Sequence, residues 1–452
     1  MVMIMKKILI IMIAAVLAGA IPVSAATLIV GPGEEYRSLT EAVAASEDGD
    51  EILLAGGRYD DSCEQFPILI DKSLYIHSKT GETAVIGNAS LEVSMKLLAK
   101  DVILEDLEVD FIRYGLYVLA DNAVIRDCSF SLADEKWRET SCGMWAGGAK
   151  YMTLSGCSFQ DCGIALAGPE VIPGVTAGVP VLTALFEVGE DPEFFNSHNI
   201  KGNIVNGKPL VYLIGETDST FCEPCGQIIA VECSNMTFED LDVSRTSIGM
   251  QIANSDHIRI LDSTADDCGV FGIYVCKSRD CLIGNLSASN SAHGIDVRDA
   301  ERCMVTGCRT DECGQGVFYS WGKNCLTTDC EMIDNGTGYF SASGGNNVVS
   351  NCTIEGNELG LYIQHEPFAI TDTVIKGNTS CGLRFTDSQA AVSSCSFEDN
   401  FVGVMALAGS SGTVYGSSFA GSLENAVFLK DSYGMQVFGS VFAEGEEVFV
   451  RE

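Results

Sequence analysis

The chain has 452 residues, with 27 Lys plus Arg against 62 Asp plus Glu, a formal charge of −35. So acidic a balance excludes binding carried by a phosphate backbone, and a polyanionic partner would need a local basic patch or a bridging cation. A hydrophobic fraction of 46% excludes a disordered chain, while the length exceeds what one compact core organises and points to several domains or one elongated solenoid.

Residues 1–25 read as a secretory signal: Lys6 and Lys7 precede an apolar run over 8–20, and Val23-Ser24-Ala25 supplies small residues for cleavage. The run is shorter than the ~20 residues of a membrane span, which disfavours an uncleaved anchor. The most apolar later stretch, 171–186, contains Pro173, Gly174, Gly178 and Pro180 and suits strands and turns better than a membrane helix. The expected product starts near Ala26, is secreted or held at the cell surface, and has no transmembrane segment and no nucleic-acid partner.

The segment 38–46 (SLTEAVAAS) reads as a short amphipathic helix, with Ser38 as N-cap and Glu41 three residues on, suited to covering one end of a stack. Residues 26–168 hold this cap and the first coils, in which Gly115, Gly143 and Gly163 each open an apolar run. Cys128-Ser129-Phe130 and Cys157-Ser158-Phe159 mirror the later Cys395-Ser396-Phe397. Residues 169–225 break the period and read as an insertion protruding from one coil, a common place for function.

From 226 to 452 the repeat is regular. Gly249, Gly272, Gly294, Gly316, Gly338, Gly360, Gly382 and Gly403 recur at intervals of 21–23 residues, each followed by an apolar, variable, apolar pattern such as Gly294-Ile295-Asp296-Val297. Period-two alternation over so few residues is a short strand with one buried face. A second buried position is expected in each coil at Leu241, Thr264, Leu286, Cys308, Cys330, Cys352, Val374 and Cys395. Coils stacked about 4.8 Å apart turn such positions into columns. The fold class is therefore all-β, a right-handed single-stranded parallel β-helix of about 22 residues per coil with a short N-terminal cap helix. A leucine-rich repeat of similar period would require a fixed Leu-x-x-Leu-x-Leu series, which is absent.

The segment Tyr36-Arg37-Ser38-Leu39-Thr40-Glu41-Ala42-Val43, with Gly49-Asp50-Glu51-Ile52-Leu53-Leu54 and Gly57-Arg58-Tyr59, resembles the opening of pectate-lyase-fold proteins. The run 202–210 (GNIVNGKPL), then Gly226-Gln227-Ile228-Ile229 and the Gly-Ile-x-Val coils, resembles NosD-like β-helix repeats of archaeal and bacterial surface proteins. The resemblance implies the architecture but no single activity, since that superfamily includes lyases, hydrolases, epimerases, tail spikes and adhesins.

The outward position after the repeat glycine carries Gln251, Tyr274, Asp296, Phe318, Phe340, Tyr362 and Arg384. Phe318, Phe340 and Tyr362 are expected to form a solvent-facing aromatic column on which sugar rings stack, and Tyr274, Asp296 and Arg384 complete the candidate ligand-binding set. The alternative is a face covered by the insertion or by a partner subunit. The functional reading is non-catalytic recognition of an extracellular or envelope polysaccharide, or packing into a surface assembly with other surface proteins. The competing reading is a polysaccharide-active enzyme, a uronate lyase or epimerase more than a hydrolase, with His293, Asp296, Arg298, His365 and Arg384 as acid, base and carboxylate-neutralising groups. No catalytic signature of the superfamily falls on them, and Gln364-His365-Glu366-Pro367 only echoes the Asp-Pro-His-Glu of alginate epimerases.

The chain has 19 cysteines, an odd number. Cys222-Glu223-Pro224-Cys225, with Cys233 nearby, fits a disulfide, a redox pair or half a metal site, and a structural disulfide among the three is the preferred reading. The column cysteines Cys281, Cys303 and Cys325, and Cys308, Cys330 and Cys352, read as small buried fillers. The five histidines are scattered, so no copper or other metal site is expected, and calcium has only acidic turns such as Asp266-Asp267 to bind. Glycosylation acceptors begin at Asn88, Asn235, Asn285, Asn335, Asn351 and Asn378.

Overall fold

A computed structural model describes residues 25–169, 191–432, 434–446 and 448–451. The expected leader, apart from Ala25, and residues 170–190 of the expected insertion lie outside the described residues.

Short parallel strands stack coil upon coil. In the longest run, His293–Arg298 pairs with Gln315–Ser320, then Thr337–Ala342 and Leu359–Gln364 follow, so that Ile295, Val317, Tyr339 and Leu361 stand in one register. Ile295, Val317 and Leu361 are fully buried inside the coil, as the alternation predicts. A seven-stranded sheet beginning at Thr27–Val30 and an eleven-stranded sheet ending at Gly434–Phe438 mark successive turns of a right-handed parallel β-helix, about 18 in all.

The repeat glycines have a steric cause. A Cβ on Gly294 would stand 2.9 Å from the carbonyl oxygen of Gly316, one on Gly316 2.6 Å from that of Gly338, and one on Gly360 2.3 Å from that of Gly382. Each coil therefore rests on the backbone of the next at a point where no side chain fits. The coil corners need left-handed backbone, and short polar side chains tolerate it. Asp262, Asn285, Gly307, Asp329 and Asn351 occupy one such corner column with φ between 49° and 63°.

Two positions of the second buried column differ from the sequence reading. Thr264 and Val374 are half-buried, and Ser263 and Thr373 take the buried place instead. The pairing of Thr264 with Ser287 and of Val374 with Ser396 sets the register, since it aligns Ser263 with Leu286 and Thr373 with Cys395. An interior polar column adjoins: Asn335, Asn357, Asn378 and Asn400 are buried, each side-chain amide accepting from the backbone N–H of the coil below, as Asn378 does from Asn357 N at 3.0 Å.

The cap helix forms over Leu39–Ala45, with Ser38 Oγ accepting from Glu41 N at 3.1 Å. Buried Glu64 adds a second cap by accepting from Thr40 N at 3.0 Å. Part of the stretch assigned to the insertion is itself coil, because Asn199–Lys201 and Ile204–Val205 continue two sheets of the first stack and Lys208–Ile214 begins the long sheet of the second.

The junction between the two stacks decides what the long sheet can expose. The outer sheet of the first stack ends at Ile164–Ala167, whose free edge is closed by side chains of the second stack. Gln227 Oε1 accepts from Ile164 N at 3.0 Å, and Gln251 Oε1 accepts from Leu166 N at 3.1 Å. The apolar core of the first stack, including Leu116, Trp145 and Ile164, runs on into Ile229, Val231, Phe271 and Tyr274, which point outward from the second. Their strand neighbours Ile228, Ala230, Ile273 and Val275 point inward, into a separate core.

Candidate functional site

The outward column forms in the expected register: Gln251 pairs with Tyr274, then Asp296, Phe318, Phe340, Tyr362 and Arg384 follow one per coil. Its environment changes along its length. Gln251, Tyr274, Asp296 and Phe318 are no more than 2% exposed, whereas Phe340, Tyr362 and Arg384 are half-exposed. The expectation of a solvent-facing column from Phe318 onward is thus corrected at Phe318, as is the placing of Tyr274 and Asp296 on a ligand-accessible face. Tyr274 joins the apolar cluster at the junction, and Phe318 packs against His293, with ring centroids 4.8 Å apart.

In the buried half three candidate catalytic residues do come together. Asp296 bridges His293 Nδ1 at 2.5 Å and Arg298 Nε at 2.7 Å, with a second Arg298 nitrogen, Nη2, also at 2.7 Å. The Arg298 guanidinium lies 4.9 Å from the ring centre of Phe318 and 5.5 Å from that of Phe271. Burial holds the His293 imidazole below its ordinary pKa against the pull of Asp296. Burial pushes the Asp296 carboxyl upward, but the Arg298 charge and the His293 hydrogen bond outweigh it, leaving it below the usual carboxylate range. A bidentate pair of this kind is well made but closed to solvent. The other two candidates lie apart from it. His365 is exposed at a corner with Nδ1 3.2 Å from Asp387 Oδ2, and Arg384 stacks 4.8 Å over the Tyr362 ring.

The half-exposed part is a small shelf. Phe340 stacks parallel on Phe318 at 4.9 Å and meets Tyr362 edge-on at 5.4 Å, while the Gln364 amide donates to the Tyr362 hydroxyl. Ring faces, a guanidinium and an amide side by side offer apolar and hydrogen-bonding contact to one ligand.

Cys222 is exposed, Cys225 and Cys233 are buried, and none of the three is in a disulfide. Burial pushes the Cys225 thiol up to about 12, and Cys233 Sγ faces the Val231 carbonyl at 3.4 Å. Of the glycosylation acceptors, Asn235, Asn285 and Asn351 are exposed at corners. Asn88, Asn335 and Asn378 are at most 2% exposed, the last two locked in the interior asparagine column, and are corrected as acceptors in the folded chain. Sequence reasoning missed Gln227 and Gln251 as edge caps, because a buried glutamine on an outward position has no periodic signature.

The class is that of right-handed parallel β-helices. In particular, residues 271–438 match the family described as "Periplasmic copper-binding protein (NosD)". No curated protein matches the chain. Among solved structures, the chain is similar to the mannuronan C-5 epimerase AlgE6 A-module of Azotobacter vinelandii, at 13% identity and a TM-score of 0.35, covering 90% of this chain and 94% of that one. It is also similar to the periplasmic alginate epimerase AlgG, at 12% identity and 0.36, with 89% and 85% covered. A third is the tailspike protein 3 of bacteriophage CBA120, at 12% and 0.39, with 91% and 56% covered.

Copper is named in the family description. Among the described residues no group of three or more His, Cys, Asp or Glu side chains converges as a metal site. The histidines lie apart from one another, His77 bonded to Glu51 and the Ser78 carbonyl, His198 to the Phe194 carbonyl and the Met152 N–H, His257 to Asp256, and His293 and His365 as above.

Proposed function

We propose that the protein acts outside the cytoplasm as a glycan-recognising β-helix, holding a polysaccharide chain on the shelf of Phe340, Tyr362 and Arg384. The match to a family described as periplasmic supports the location. The observation that carries the binding reading is the change along the outward column: the rings are sealed at Phe318 and open at Phe340 and Tyr362, where a guanidinium lies over the second ring. A sugar ring stacks on the aromatic faces, and Arg384 faces its hydroxyls or a carboxylate.

The enzyme reading draws on the His293, Asp296 and Arg298 cluster, but a proton-transferring group must reach its substrate within hydrogen-bond distance, and His293 and Asp296 are 1% and 0% exposed. Binding is therefore the reading adopted. The test is electrophoresis through gels containing alginate, pectate or neutral polysaccharides. Retardation that is lost in Tyr362→Ala supports it; equal mobility in every gel, or release of unsaturated uronate absorbing in the ultraviolet, overturns it.

A further inference from the structure

A second surface differs from its surroundings in three independent respects. Where the strands of the long sheet turn into the next sheet, the corners at 254–256, 277–279, 299–301 and 321–323 line a cleft of about 440 Å³. Its floor is made of small buried residues, Ser255, Ser278 and Ala300. Its length is that of four coils, or roughly three spacings of about 4.8 Å.

The first respect is Trp321. The first residue of this corner is left-handed in every coil, and its neighbours in the column are Asn254, Lys277, Asp299, Ser343 and His365, with φ between 44° and 59°. Trp321 adopts φ 54° in the same column. A bulky side chain gains nothing from that backbone, which favours Asn, Asp and Gly by roughly 1 kcal/mol or more. Nor does packing explain it, since Trp321 is 41% exposed while Trp145, in the junction core, is fully buried. A large ring left partly exposed at a corner beside the cleft offers a flat apolar face for stacking.

The second respect is charge. The third corner residues stack as Asp256, Arg279, Glu301 and Lys323, bridged in register, so acid and base alternate along the wall. The opposite wall contributes Lys277 and Asp299. The lining thus sums to no net charge within a chain of formal charge −35. An anionic ligand gains nothing from it and meets the long-range field of the protein, whereas a neutral ligand rich in hydroxyls finds donors and acceptors at each step. The third respect is shape, an open trough along four corners with an indole at one end.

We propose that this corner cleft binds a short neutral oligosaccharide, with one pyranose ring stacked on Trp321 and its neighbours bonded by the alternating charged wall. This site is distinct from the Phe340 and Tyr362 shelf and does not rest on it, because none of its lining residues belongs to the shelf and the two favour different ligand charge.

The test uses the full chain and follows tryptophan emission during titration with cellohexaose, mannohexaose and xylohexaose, with hexagalacturonate as the anionic arm. A saturable change with at least one neutral hexaose, and binding at least about tenfold weaker for hexagalacturonate, is expected. In Trp321→Asn, calorimetry should show affinity lower by about tenfold or more, with a Tm unchanged or raised because asparagine suits the corner. Tyr362→Ala should bind the neutral hexaose as the parent does. The proposal is overturned if no neutral hexaose binds, if Trp321→Asn binds unchanged, or if that variant melts several degrees lower, which would make Trp321 a packing residue. Binding lost in Tyr362→Ala but kept in Trp321→Asn would likewise overturn it while leaving the shelf reading intact.

Discussion

Gln251 completes the edge of the strand Ile164–Ala167 as another strand would: its Oε1 accepts from Leu166 N at 3.1 Å and its Nε2 donates to Leu166 O at 2.7 Å. One side-chain amide thus satisfies both polar groups of a residue 85 positions away.

Gln251→Leu keeps the volume and strands both groups in a buried place. At about 1–3 kcal/mol per unsatisfied group, the variant should lose roughly 2–6 kcal/mol in urea unfolding. A loss below about 0.5 kcal/mol, within the range of an ordinary surface substitution, would mean that the clamp is not formed.

The buried charge cluster predicts both a mutational cost and an acid sensitivity. Asp296→Ala leaves Arg298 without its carboxylate and should cost about 3–5 kcal/mol. His293 is held below its unfolded value, so the unfolded chain takes up its proton first as the pH falls, and stability declines from about pH 6.5 downward. Asp296 is also held low, so its contribution is present above the unfolded value of about 3.9 and is lost as the pH falls through the folded one. His293→Gln, which retains a donor for Asp296, should flatten part of the decline in urea midpoint between about pH 6.5 and 4.5. Part remains because burial also holds His198 low.

Asn378 accepts from Asn357 N at 3.0 Å and donates to Asn400 Oδ1 at 2.8 Å. Asn378→Ala breaks the column in the middle and should cost about 1–3 kcal/mol, whereas Asn351→Ala at an exposed corner should cost less than half as much. Expression in a glycosylating host should add mass at Asn235, Asn285 or Asn351 and none at Asn378, which peptide mapping would show directly.

Two substitutions separate wall from interior. Val297→Asp places a charge at a fully buried inward site and should destabilise by several kcal/mol. Phe340→Ala should weaken retention in polysaccharide gels while lowering the Tm far less than Val297→Asp does. An equal fall in Tm for both would show that Phe340 works as core and not as a binding surface.

The coil was legible in the sequence because its determinants are local and repeated. Gly294, Gly316 and Gly338 recur because a Cβ at each would strike the next coil's backbone, and the alternation beside them assigns Ile295 inward and Asp296 outward without reference to anything distant. Ser38 and Glu41 likewise announced the cap helix within four residues. The same locality explains the slips at Thr264 and Val374, where one residue more or less in a corner shifts a column that spacing alone holds fixed.

Which outward residues meet solvent was decided only in three dimensions. Tyr274, Asp296 and Phe318 stand in the same column as Phe340 and Tyr362 and carry the same alternation, yet the first stack abuts the long sheet through strands some 80–110 residues earlier. That contact buries Gln251 and Tyr274 at one end of the column, while Phe340 and Tyr362 toward the other end stay half-exposed. A period along the chain records how a coil meets its neighbour, but the meeting of two faces far apart in sequence has no period, so only the folded chain fixes it.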